Sequence, residues 1–416
     1  MLLSRRTVVK VDGIQSNILG HLCHAAQKLW NVGNYEKRNY KDLGFEEYPD
    51  WYDQKKRLKT EFWYKNLPSQ TAQEILKELE GAWKSFFALK KTGGVKNPQP
   101  PRFKKDKICV TYMQNGIMHN KDSKSIRFAI PKQLKEHLNQ KYNIHADYLY
   151  LENKIFSNMD TIKQIQIYPP ADGTADVIIV YEIPDVEKLP DNGKYLSMDI
   201  GVHNPITCYD NVNHASMIFA RKYASICYYY DKQIAHYQGI AASQQAAKGV
   251  KHPKCTKRVL KLYKDKRNSI NDLFHKTTKH IADYCEANDI HTAIIGDITH
   301  IRDNNNMGAA NNQTFHSLPF AKIYAMLEYK LAMRGITLVK VKESFSSQCS
   351  PLSEAVNKKH ALKSNRKHRG LYVDGFNIWN ADSVGAYNIM RIYAQAKDRD
   401  TKQSAAFLSN PIKVSV

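Results

Sequence analysis

Apolar residues recur at helical spacing from Asn17 to about Lys41, at Ile18, Leu19, Leu22, Ala25, Leu29 and Trp30, which predicts a helix with one buried stripe. A second stripe follows Pro68, a residue favoured at helix starts: Ala72, Ile75, Leu76, Leu79, Trp83, Phe86 and Phe87. Gly93-Gly94 and the run Asn97-Pro-Gln-Pro-Pro-Arg-Phe-Lys-Lys105 then break all periodicity. Across 108–190 the pattern shortens to strand-like runs at Ile108–Met113, Ser125–Ile130, Ile162–Tyr168 and Ala175–Ile183. Short strands separated by turn signals predict a small barrel or sandwich. The run Thr7–Val11 has no local partner. We expect it to join that barrel, with the helical stretch 15–107 inserted between 1–14 and 108–190.

From Tyr195 the pattern changes again. A strand at 195–200 is followed by a hairpin partner near 205–209 and another strand near 216–220. One or two long helices cover 221–287, and His291–Asp297 reads as a strand. An Asn-rich loop at 304–306 and 311–312, a helix over Ser317–Met333 and a strand at 336–342 complete the run. Strand, helix, strand is the signature of a parallel sheet. The fold class expected is therefore multidomain α+β, with a barrel-bearing first half and an α/β second half.

Charge narrows the partners. Among 416 residues, 62 Lys and Arg against 40 Asp and Glu give a net charge of +22, which points to a polyanion. A membrane surface is the rival, but no apolar run approaches the roughly 18 residues of a spanning helix. The start, Met1–Lys10, has no long apolar segment, so no signal peptide is read and a cytoplasmic protein is expected. Seven cysteines scattered at 23, 109, 208, 227, 255, 285 and 349 suit a reducing compartment. The cations cluster. Arg102, Lys104 and Lys105 stand in the proline-rich loop, and Lys251–Asn268 holds eight Lys or Arg with Asp265 its only acid. Lys257, Arg258 and Lys261 are its central members, and Arg366 and Arg369 close a third run begun at Lys358. All suit phosphate contacts. The 25 tyrosines add faces on which bases can stack.

Three carboxylates change the picture further. Asp199 ends the apolar strand Tyr195-Leu-Ser-Met-Asp, and Gly201 behind it permits close approach. Glu343 ends Thr337-Leu-Val-Lys-Val-Lys-Glu, and Asp382 opens the helix-like Asn380–Ile389. Singly, each is an ordinary solvated acid or helix cap. Together, on a basic chain, they are oxygen donors of the kind Mg²⁺ prefers, and two such ions can clamp both oxygens of a phosphodiester exchange.

The motifs Met198-Asp-Ile-Gly-Val-His-Asn-Pro205, Ile294-Ile-Gly-Asp-Ile298, Phe345-Ser-Ser-Gln-Cys-Ser350 and Asn380-Ala-Asp-Ser-Val-Gly-Ala-Tyr-Asn-Ile389 resemble those of TnpB proteins. These are transposon-encoded RNA-guided nucleases related to miniature type V CRISPR effectors. In the first half, Tyr52–Lys59 and Asn66–Gln73 resemble their recognition helices. The resemblance implies a β-barrel wedge domain (1–14 and 108–190), a helical recognition domain (15–107) and an RNase H-like RuvC domain (191–345 and 376–395). It also implies a target-nucleic-acid-binding insert (346–375) before the tail 396–416. The implied activity is guide-RNA-directed cleavage of double-stranded DNA beside a short DNA motif. A nuclease-dead DNA-binding repressor and a CRISPR-guided effector are the alternatives. Whether the chain acts as a monomer or homodimer is not legible.

The family's second motif carries a glutamate where this chain has Gly296. Asp297 is not an automatic substitute, because a one-residue shift turns a strand side chain to the other face. Glu343 is therefore preferred for the triad with Asp199 and Asp382, holding two Mg²⁺, with Asp297 as its competitor. Asn204 and Asn388 are candidates to support these acids. The family's zinc-binding Cys pairs are reduced to Cys349, with Leu352 where a second would stand, and the spacing of His360 and His368 makes no compact site. A zinc-free insert is expected. Readers of the adjacent DNA motif are sought among Tyr52, Lys59, Asn66, Gln70 and Gln73, amide and ammonium groups suited to base edges.

Overall fold

The structure, a computed structural model, describes residues 1–93, 95–159, 161–201, 203–297, 318–368, 370–397 and 405–415. The chain divides into two compact units, Met1–Pro184 and Asp185–Val416. The Asn-rich stretches 304–306 and 311–312, and Arg369, lie outside the described residues.

In the first unit, strand β1 (Leu2–Lys10) leads into helix α1 (Gly13–Arg38). The Asp12 side chain and Gln15 cap that helix reciprocally, a capping box. Short helices α2 (Trp51–Arg57) and α3 (Phe62–Lys65) precede α4 (Ser69–Thr92), whose first residue follows Pro68. The expected stripe of α4 buries Ala72, Ile75, Leu76, Leu79 and Trp83, and Trp83 donates its indole N–H to Asn34 on α1 at 3.0 Å. Phe87 departs from the stripe and stays exposed. The strands are β2 (Val110–Met113), β3 (Ile117–Asn120), β4 (Ser125–Ala129), β5 (Tyr148–Glu152), β6 (Thr161–Ile167) and β7 (Thr174–Glu182), with helix α5 (Lys132–Tyr142) between β4 and β5.

The opening strand does pair with the later ones, β1 lying antiparallel to β7 from Leu2 opposite Glu182 to Lys10 opposite Thr174. The expected barrel is corrected, however. The described strands form two open sheets, β1-β7-β6-β2 and β3-β4-β5, and close no barrel. Alternation fixes which face is buried but not which strand becomes the last neighbour.

In the second unit, β8 (Tyr195–Asp199), β9 (Ile206–Asp210) and β10 (Ser216–Phe219) form an antiparallel meander. Helices α6 (Lys222–Ala247) and α7 (Lys257–Ala287) follow, then β11 (Thr292–Gly296), α8 (Phe320–Ala332) and β12 (Thr337–Val341). β11 lies parallel to β8, and β12 parallel to β11. With β16 (Ile412–Lys413) the order is β12-β11-β8-β9-β10-β16. Between β12 and β16 come β13 (Arg366–His368), β14 (Leu371–Asp374), β15 (Asn377–Asn380) and helix α9 (Ala381–Gln395). The first three form a sheet of their own, which runs past the expected insert end at 375 as far as Asn380.

The strand period of two sorts the large sheet's side chains. Leu196, Met198, Ala293 and Ile295 join a core with α7 and α8 residues such as Phe274, Ile281, Ile323 and Leu327. Tyr195, Tyr209 and Ile294 join the opposite core, with Val384, Tyr387 and Met390 of α9. Helices thus cover both faces. No helix among the described residues is long and apolar enough to cross a membrane.

Candidate functional site

Register places the acids. Asp199 shares strand parity with Tyr195, so it belongs to the α9 face. Gly296 shares parity with Ile294, and in register it is opposite Val341 on β12, which also packs toward that face. Glu343 stands two residues beyond Val341, on the same parity. Asp382 arrives differently, in the first turn of α9, where the Asn380 side chain accepts from the backbone N–H groups of Asp382 and Ser383 at 3.1 and 3.0 Å.

Two glycines hold open the space these carboxylates fill. A Cβ on Gly296 would overlap Glu343 Oε2 and lie 3.2 Å from Ile389 Cδ1. The Glu343 carboxylate therefore occupies the place where a side chain at 296 would begin. A Cβ on Gly385, one turn beyond Asp382 on α9, would lie 2.5 Å from Asp199 Oδ2. Gly201 serves a tight turn, since its Cβ would lie 2.9 Å from the Asn204 carbonyl oxygen.

The electrostatics tie the three together. Burial first, then the charge of Glu343, then that of Asp382, push the Asp199 carboxyl well above the ordinary carboxylate range. The Arg366 guanidinium and a hydrogen bond from the Ile200 backbone pull the other way. Burial raises Glu343 to about 7, and the Asp297 carboxylate adds to the rise. Crowded, desolvated acids that resist ionising together mark a site built for a cation. Glu343 Oε2 is buried and has no hydrogen-bond partner among the described residues, an unmet demand for a positive ligand. The donors are all oxygen, which suits Mg²⁺. Among the described residues no group of three or more His, Cys, Asp or Glu is already drawn to metal-binding spacing.

Asn204 donates to Asp382 Oδ2 at 2.8 Å, and Arg366 reaches Asp382 Oδ1 at 3.4 Å. Arg366, expected to meet nucleic-acid backbone, is thus at the acids in this structure. Asn388 is corrected. It is fully buried on α9 and donates to the carbonyls of Ser346 and Cys349 at 2.7 and 2.8 Å, so it pins the segment after Glu343 and touches no acid of the site. Arg391, which the sequence did not single out, joins the same network through Ser350 and Asn388 Oδ1, each at 3.0 Å. Asp297 lies just past the end of β11, and its backbone N–H donates to the Val341 carbonyl at 2.7 Å. Its charge acts on Glu343, whereas the acids acting on Asp199 are Glu343 and Asp382.

The remaining candidates are scattered. Tyr52, Lys59 and Gln70 are exposed, and Gln73 is half-buried beside Tyr64. Asn66 is corrected as an open base reader. It is 6% exposed, and its amide donates back to the Phe62 carbonyl at 2.9 Å. Arg102 and Lys105 are exposed, and the Lys104 ammonium lies 4.6 Å from the Trp30 ring centre. On α7, Lys257 and Lys261 are exposed, while Arg258 stacks 3.6 Å from the Tyr237 ring centre. Cys349 is buried and donates to the Asn357 carbonyl at 3.3 Å, and His360 meets the Asn357 side chain.

Comparison with known proteins joins the second unit to two families. Residues 178–302 match OrfB_IS605, a probable transposase family. Residues 320–389, which include Glu343, the three-stranded sheet and Asp382, match the Cas12f1-like TNB domain. Together these two matches, over 178–302 and 320–389, support a TnpB-like family. A Cas12f1 solved with sgRNA and target DNA shares its fold at TM-score 0.56 and 15% identity, covering 90% of this chain and 82% of that one. The mini-RNA-guided endonuclease CRISPR-Cas_phi3 aligns at TM-score 0.50 and 9% identity, covering 98% of this chain and 94% of that one. No curated protein matches this chain.

Proposed function

We propose that this TnpB-like chain is an RNA-guided DNA endonuclease whose cleavage centre is Asp199, Glu343 and Asp382. The observation that carries the reading is the Glu343 carboxylate seated over Gly296, with Asp199 coupled to both other acids. The glutamate expected in the second motif is replaced, in space, by one from the next strand. Mg²⁺ bound there would polarise the scissile phosphate and supply an activated water. The chain's own part is placement. β8 and the end of β12 present two acids on one face, the capped start of α9 presents the third, and Asn204 fixes the orientation of Asp382.

The first unit and the insert would hold the nucleic acids, as wedge, recognition and target-binding domains. A +22 chain with basic runs at 102–107, 251–268 and 358–369 suits a guide RNA paired with target DNA, a duplex held by its backbone while pairing supplies sequence. The test is to sequence RNA that co-purifies with the full chain and to supply matching duplex DNA carrying randomised flanks, with Mg²⁺. We expect guided cuts that EDTA or Asp199→Ala abolishes. Purification without RNA, or matched targets left intact beside every flank, would refute the proposal.

A further inference from the structure

Phe376 is 105% exposed, as open to water as a side chain can be. It stands at the tip of the β14–β15 hairpin, where Asp374 pairs with Asn377 and leaves Gly375 and Phe376 as the two-residue turn. Gly375 has φ +58°, which the first position of such a turn requires of glycine. Nothing in turn chemistry asks for phenylalanine at the second position, where a polar residue would cost less. Nor does packing explain it. The hairpin already has a buried aromatic pair, Tyr372 and Trp379, on its inner face. Ile378, two residues on and so on the parity of Phe376, is 57% exposed.

The surroundings select the ligand. Residues 346–380 carry six Lys or Arg against two acids, Glu354 and Asp374. Lys358, Lys359, Lys363, Arg366 and Lys367 are all exposed. An open aromatic ring at the hairpin tip, on an insert whose cations are exposed, fits a single-stranded nucleic acid, bases stacked and phosphates neutralised. β15 then runs from this tip directly to Asn380, the cap that presents Asp382.

We propose that Phe376 stacks on a nucleobase of a single-stranded segment and so positions that strand on the insert, a role that takes the nuclease reading of Asp382 as its setting. The test uses the full chain and single-stranded DNA oligonucleotides containing 2-aminopurine, whose fluorescence reports stacking. We expect Phe376→Ala to weaken binding roughly 5- to 150-fold and to abolish the stacking signal. Phe376→Trp should retain both, and all three proteins should melt alike. Wild-type affinity and signal in Phe376→Ala would overturn the proposal. So would equal losses in the Trp variant, or a change of oligomeric state with unchanged DNA affinity, which would assign the ring to a second copy of the chain. Guided cleavage is assayed separately. If wild type binds and stacks but never cuts, the nuclease reading fails and the stacking role stands.

Discussion

The two faces of the six-stranded sheet are built from the same strands and do opposite things. Toward α7 and α8, β8 and β11 contribute Leu196, Met198, Ala293 and Ile295, all buried among apolar neighbours. Toward α9, the same strands contribute Tyr195 and Ile294, then give way at their ends to Asp199 and Gly296. The first face is closed along its length. The second is closed by α9 and opens at one edge into carboxylates, one of them with a buried oxygen that has no hydrogen-bond partner among the described residues. A rigid apolar face lets the opposite edge hold like charges close together, which no flexible segment would tolerate.

The comparison breaks most severely at Gly296. Gly296→Glu places a second carboxylate in the space of the first, and guided cleavage should fall roughly a thousandfold or more. The swap Gly296→Glu with Glu343→Gly should recover much of it, because a carboxylate again reaches the same place. Failure of the swap while both proteins melt normally would mean that the seat of Glu343 matters less than its strand. On the closed face, Ile295→Ala removes buried methylenes and should cost about 2–5 kcal/mol of stability, read by denaturant melts. Cleavage per folded molecule should hardly change; a selective loss would show that the faces are not separable. Asn204→Ala frees Asp382 Oδ2 and should raise the Mg²⁺ requirement about 10- to 100-fold, with an unchanged titration counting against its orienting role. The smallest effects lie in the first unit. Lys59→Ala and Gln70→Ala, both exposed, should shift stability by at most about 0.5 kcal/mol and alter only the preferred flanking DNA motif. An unaltered profile would remove both as readers.

Much of the closed face was legible in the sequence, because runs such as Leu196–Met198 and Ala293–Ile295 show strand period and apolar character together. The shared face of Asp199 and Glu343 was legible for the same reason, since strand parity carries both toward α9. Space was less legible. Gly296 stands out in the sequence as a missing acid, and only the fold shows that its lack of a Cβ makes room for Glu343. Nor does the sequence distinguish Asn204, which bonds Asp382, from Asn388, which bonds two backbone carbonyls 42 and 39 residues away. In the first unit, β3 and α5 escaped notice. Ile117–Asn120 is only four residues long, and Lys132–Tyr142 buries just Leu134 and Leu138, too narrow a stripe to stand out. The open sheets in place of a barrel follow from strand neighbours set by tertiary contacts.

The central claim is that Glu343, and not Asp297, completes the set with Asp199 and Asp382. Asp297 is close enough to press on the Glu343 carboxyl, so the rivalry is real. The direct measurement is a pair of single variants, Glu343→Ala and Asp297→Ala, each assayed for guided cleavage and, separately, for guided binding of the same target. The account predicts that Glu343→Ala abolishes cleavage while binding survives, and that Asp297→Ala leaves substantial cleavage. Cleavage lost in Asp297→Ala and kept in Glu343→Ala would contradict it.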